Sequence, residues 1–91
     1  MIHVLKTEHN YWLDSRDCCK DFEVRKNDRN FKVGDWVHLV DSISEDKAGH
    51  YVSAQIAYIL DDPQFCLPGL VILGLRQKMY HAIFVYPGAL S

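Results

Sequence analysis

Apolar and polar positions alternate in short runs along most of this chain, and turn-forming residues separate the runs. Side chains on a strand point alternately to opposite faces, so each run reads as a strand with two distinct sides. Residues 2–5 form a first short strand. In residues 21–26, Phe22 and Val24 alternate with Glu23 and Arg25. Phe22 and Val24 are therefore expected to enter a core, with Glu23 and Arg25 on the opposite face. In residues 36–40, Trp36, His38 and Val40 share one face and Val37 and Leu39 the other. Residues 51–60 make a long alternating strand, and Val52, Ala54, Ile56 and Tyr58 are expected to look inward. Residues 70–75 are nearly all apolar, the mark of a buried strand. Residues 79–86 make a last strand, ended by Pro87 and Gly88.

One stretch departs from this period. Thr7 is placed as an N-cap for a helix over residues 8–17, with Glu8 in the first turn where it suits the dipole. Trp12 and Leu13, with Tyr11 beside them, supply its apolar contacts, and Asp14, Arg16 and Asp17 its wet side. Residues 26–30 carry a turn signal, and Val33-Gly34-Asp35 marks the entry to the next strand. Residues 41–49 read as a hairpin loop and 76–78 as a basic turn. In residues 61–69, two prolines and a glycine bar regular structure. Short strands with turn signals and little helix predict a mainly β (α+β) fold, a small β-barrel with one or two short helices. The length suits a single domain over residues 1–91.

Charge narrows the functional classes. A formal net charge of −2 argues against coating nucleic acid by bulk attraction. A local basic strip remains, because five of the ten lysines and arginines fall within residues 20–35, interspersed with Asp21, Glu23 and Asp28. Three cysteines are an odd set with Cys18 and Cys19 adjacent, which points to reduced thiols in a cytoplasm. No signal peptide and no apolar run of membrane-spanning length is present in the sequence. The histidines His3, His9, His38, His50 and His81 share no metal-ligand spacing, so neither metal nor other cofactor is expected.

The candidate chemistry centres on Lys20, Glu23 and Arg25. Arginine offers a planar fork suited to phosphate or a base edge, lysine a point charge, and glutamate a hydrogen-bond acceptor. The alternative is a solvated strand face with a Glu23–Arg25 pair of little energetic weight. Lys26, Asn27 and Arg29 follow in a turn able to clamp a sugar-phosphate backbone, although Asn27 and Asp28 equally suit the turn itself. Phe31 reads as an anchor for this loop. Asp61 and Asp62 read as turn caps, since no third ligand has suitable spacing for a metal. His38 is the one histidine to test as a base. Cys18 and Cys19, beside Lys20, are weak candidates for a nucleophile.

Residues 18–25 resemble the G-x-K-x-x-E-x-R signature of ASCH domains, relatives of the PUA domain. The run from Phe22 through Arg29, with Phe31 and Val33-Gly34-Asp35, resembles the small ASCH/PUA-like family DUF3850 of phages and bacteria. Tyr58 to Pro63, Phe65, and Val71 to Gly74 resemble its second half. The resemblance spans roughly residues 3–75 and leaves 76–91 as a tail. It implies a PUA-like pseudobarrel whose signature strand borders an RNA-binding cleft. Lys20, Glu23, Arg25, Lys26, Asn27 and Arg29 would then contact RNA or a nucleotide. The family has glycine where Cys18 stands, permitting a positive φ. Cysteine lacks that freedom, so either the turn differs slightly or Cys18 packs as a small hydrophobe. A related branch of amidohydrolases places a threonine nucleophile where Glu23 stands, and a carboxylate cannot replace that hydroxyl. Two further possibilities are a ribonuclease or nucleoside hydrolase using Lys20 and Glu23, and a phage accessory domain that binds a host protein through Tyr80, Phe84 and Tyr86.

Overall fold

The structure, a computed structural model, describes residues 1–42 and 50–82. Its elements in order are β1 (Ile2–Thr7), α1 (His9–Arg16), β2 (Phe22–Lys26), β3 (Trp36–Asp41), β4 (His50–Leu60) and β5 (Leu70–Ala82). The fold is mainly β, as expected. The strands form a single curled sheet, a half-barrel, in the order β1-β3-β4-β5-β2. β1 runs parallel to β3, and every other pairing is antiparallel. Among the described residues, the first two strands of the chain are therefore the two edges of the sheet. The expected hairpin loop falls mostly on residues 43–49, and the end of the expected last strand on 83–86. Both lie outside the described residues.

The core lies on one face of the sheet. Leu5, Val37, Leu39, Val52, Ala54, Ile56, Val71 and Leu73 are almost completely buried there. Helix α1 lies against this face through Trp12, whose indole N–H donates to the Leu39 carbonyl at 2.8 Å. Phe31 is buried and meets His3 edge to face, with ring centroids 4.7 Å apart, so it anchors its loop as expected. His3 also donates from Nε2 to Asp35 at 2.8 Å. That bond holds the Asp35 carboxyl below the usual carboxylate range.

Several expectations are corrected. Thr7 is the last residue of β1 and does not cap α1; Glu8 takes the cap position without a side-chain bond. On β2 the faces are the reverse of those expected. Phe22 and Val24 are 46% and 49% exposed, whereas Glu23 is 3% exposed. The period fixes which residues share a face but not which face turns inward. Here two cations compensate the buried carboxylate. Tyr58 points outward because the β4–β5 register slips between Ile56 and Tyr58, placing two steps of β4 against one of β5. Ile59 packs on the core in its stead. Residues 76–78 are no turn. They continue β5, with Gln77 at φ 55.

On the opposite sheet face, Tyr51 stacks against His38 at 4.7 Å and against His81 at 4.4 Å. Burial and the charge of His81 lower the His38 pKa below the ordinary histidine value.

Candidate functional site

A cleft opens where α1 ends and β2 begins. The backbone N–H of Cys18 donates to the Ser15 carbonyl at 3.2 Å, and that of Cys19 to the Asp14 carbonyl at 2.8 Å. These two bonds make a Schellman ending, which places the residue after the cap in the left-handed region. Cys18 holds that position at φ 61. The turn thus has the geometry that glycine would favour, and the Cys18 side chain is exposed, not packed as a small hydrophobe. The chain leaves this turn directly into Lys20 and the inward face of β2.

Three of the expected site residues meet here. Lys20 Nζ lies 2.5 Å from Glu23 Oε1. Arg25 approaches Glu23 Oε2 with Nη2 at 3.0 Å and Nε at 3.2 Å. A carboxylate this deeply buried demands such partners, because an uncompensated buried charge is strongly unfavourable. Arg25 also reaches across the open seam of the half-barrel to the other edge strand. Its Nη1 donates to the Lys6 carbonyl and its Nη2 to Thr7 Oγ1, both at 2.9 Å. These contacts engage most of the five N–H groups of a guanidinium. Lys20 is less committed: among the described residues its ammonium donates to Glu23 alone and otherwise faces the Tyr11 and Phe22 rings.

The remaining expected residues sit apart. Arg29 donates from Nη1 to the Val4 carbonyl at 3.1 Å, a second staple between the turn and the β1 edge. The Asn27 backbone N–H donates to the Gly69 carbonyl at 2.9 Å, and Lys26 is exposed at the end of β2. Neither Lys26 nor Asn27 lines the cleft. Asp62 caps its loop by accepting from the Gln64 backbone N–H at 2.8 Å.

The cleft has a volume of about 610 Å³, within the range of about 300–1,000 Å³ usual for small-ligand sites. Its walls are mostly apolar, with Phe22 and Val24 from β2 and Tyr11 from α1. The Lys20 ammonium lies 5.2 Å from the Phe22 ring centre and 5.8 Å from that of Tyr11, within cation–π range of both. Lys6, Glu8 and Asp14 add further charges of both signs. A donor and an acceptor stand side by side between aromatic walls. That arrangement suits the polar edge of a planar ligand better than a bare phosphate chain. Among the described residues, no three His, Cys, Asp or Glu side chains converge as a metal site, and no helix is long and apolar enough to cross a membrane.

Sequence reasoning missed Tyr11, Thr7 and Lys78. Tyr11 was placed with the core contacts of α1 but is exposed at the cleft. Thr7 and Lys78 meet the signature only through the fold, and no local pattern marks them.

Fold and cleft together define a small, mainly β half-barrel with a polar site at the seam between its edge strands. The chain belongs to the family described as Domain of unknown function (DUF3850), whose profile matches residues 2–75. No curated protein matches it.

Proposed function

We propose that this chain is a binding module for RNA or a nucleotide, and that one base enters the cleft between Tyr11 and Phe22. The observation that carries this reading is the Lys20–Glu23 pair, 2.5 Å apart in a cleft with aromatic walls. Such a pair offers a donor and an acceptor to a base edge, and aromatic rings stack on any base. Single-stranded or looped RNA suits it, since unstacked bases are available there. Lys26, Asn27 and Arg29 would meet the backbone outside the cleft. Arg25 would act mainly by holding Glu23 and the seam in place.

The test is a titration with a short single-stranded RNA and with mononucleotides at two salt concentrations. Phe22→Ala should weaken binding about 5- to 150-fold, given about 1–3 kcal/mol per stacked base, and Lys20→Ala about tenfold or more through loss of a charge-assisted hydrogen bond. The salt slope should be small, because few phosphates are neutralised. Absence of binding at both salt concentrations refutes the proposal.

A second reading rests on the same pair. A lysine and a glutamate within proton-transfer distance in an apolar cleft are suited to acid–base work on a nucleic-acid substrate, as in a hydrolase. RNA shortened on incubation with the wild type but not with Glu23→Gln would favour it.

A further inference from the structure

Strand β5 passes beyond the family match, which ends at residue 75, and at once makes an irregularity. Ser53 of β4 faces Met79 and Gln55 faces Arg76, so two steps on β4 answer three on β5. Gln77 is the extra residue, in the left-handed region at φ 55. A bulge of this kind usually carries glycine at its left-handed position, and it re-aims the side chains that follow. Leu75 points inward before the bulge. An unbroken strand would turn residue 77 inward next and residue 78 outward. The bulge reverses that order, and the Lys78 side chain is only 8% exposed.

The Lys78 ammonium meets three acceptors there. It donates to the Ser15 carbonyl in the last turn of α1 at 2.9 Å, to the Lys20 carbonyl, and to Asp21 Oδ1 at 3.0 Å. An ammonium has three protons, so all are used. The Ser15 bond also places a cation at a helix C-terminus, where the dipole favours it. Two of these acceptors are in residues 20 and 21, within the signature of residues 18–25, and one is the backbone of Lys20 itself.

We infer that Lys78 is a positioning residue for the cleft: it fixes the main chain of Lys20 and so aims the Lys20 ammonium at Glu23 and the ligand. The binding half of this inference rests on the nucleotide-binding reading above; the geometric half does not. The strained bulge at Gln77 has a purpose in this account, since it turns Lys78 inward. The tail beyond the family match then completes the site instead of merely extending the sheet.

The test compares wild type, Lys78→Gln, Lys20→Met and the double variant, each confirmed folded by its melting transition. Lysine labelling with an amine-reactive reagent, read by peptide mass spectrometry, reports how firmly Lys20 is held. In Lys78→Gln the labelling of Lys20 should rise several-fold while Lys26 and Lys32 stay unchanged. Affinity for a short single-stranded RNA should fall about tenfold, the effect of losing one charge-assisted hydrogen bond. Lys78→Gln should cost nothing further in the Lys20→Met background. A general structural role would raise all lysines alike and cost the same affinity in both backgrounds; either result overturns the inference. Should Lys78→Gln not fold, Lys78→Arg serves, because a planar fork cannot reproduce three diverging bonds and Lys20 labelling must still rise. Wild-type protein that binds no RNA would remove the nucleotide-binding reading, while the labelling comparison would still decide the role of Lys78.

Discussion

Replacing Arg25 by alanine tests whether this side chain is chiefly a staple of the fold. The guanidinium makes two contacts to Glu23, one to the Lys6 carbonyl and one to Thr7 Oγ1. Breaking a buried ion pair by removing one partner costs about 3–5 kcal/mol. Two features lower that figure: Glu23 keeps Lys20, and the Arg25 side chain is 20% exposed, so water reaches the vacated bonds. Against this, the Lys6 carbonyl and Thr7 hydroxyl lose their charged donor across the seam. A loss of about 2–4 kcal/mol is the result. In a domain of this size each kcal/mol lowers Tm by roughly 4–8 °C, so Arg25→Ala should melt about 8–32 °C below wild type. Urea denaturation followed by circular dichroism measures the free energy directly. Lys26→Ala, on the exposed end of the same strand, is the control and should stay within about 0.5 kcal/mol of wild type. Arg25→Lys should rescue little, since an ammonium cannot span both Glu23 and the β1 edge. An Arg25→Ala protein within about 1 kcal/mol of wild type would refute the staple and return Arg25 to direct ligand contact.

Three further outcomes follow from the geometry. Cys18→Gly relieves a left-handed cysteine, worth about 1–2 kcal/mol, and adds back up to about 1 kcal/mol of unfolded-state entropy, so a net gain of about 0.5–1 kcal/mol is expected in denaturant titration. Asp35 has a lowered folded pKa because His3 donates to it; the folded carboxyl therefore gives up its proton more readily than the unfolded one. Its stabilisation is present above the ordinary value of about 3.9 and is lost as pH falls through the lowered folded value. Between pH 5 and pH 2 the urea midpoint of wild type should thus fall more than that of Asp35→Asn. Trp12→Phe deletes the donor to the Leu39 carbonyl and should cost about 1–2 kcal/mol in thermal or urea unfolding, from the lost hydrogen bond and altered packing.

Much of the strand layout was legible in the sequence, because β1, β3, β4 and the first half of β5 each carry a clear run. The errors have specific physical causes. Period-two alternation on β2 grouped Phe22 with Val24 correctly. It could not say that Lys20 and Arg25 would let Glu23 take the buried side. Both register slips occur at residues that give no local warning. The β4 slip lies beside Ala57, and the β5 bulge uses Gln77 where glycine would have signalled it. Lys20, Glu23 and Arg25 were identified as a group because they are close in sequence. Their partners were not, because Val4, Lys6 and Thr7 lie on an edge strand and Lys78 on the far side of the chain. Arg25 and Arg29 accordingly read as ligand contacts, although much of their bonding serves the seam.

The order of strands also governs when the cleft comes into being. Every signature residue is synthesised before β5, yet among the described residues β5 is the one sheet neighbour of β2, with Phe22 opposite Gly74. That pairing joins residues 52 positions apart (74 − 22), and such long-range closures are the slow steps of folding. During synthesis, β1 can find β3 and β3 can find β4 while β2 still has no strand to lie against. A fragment ending before residue 70 would contain Lys20, Glu23 and Arg25 but lack the strand that orders them. The cleft thus waits for β5, although the residues that line it are all made before that strand.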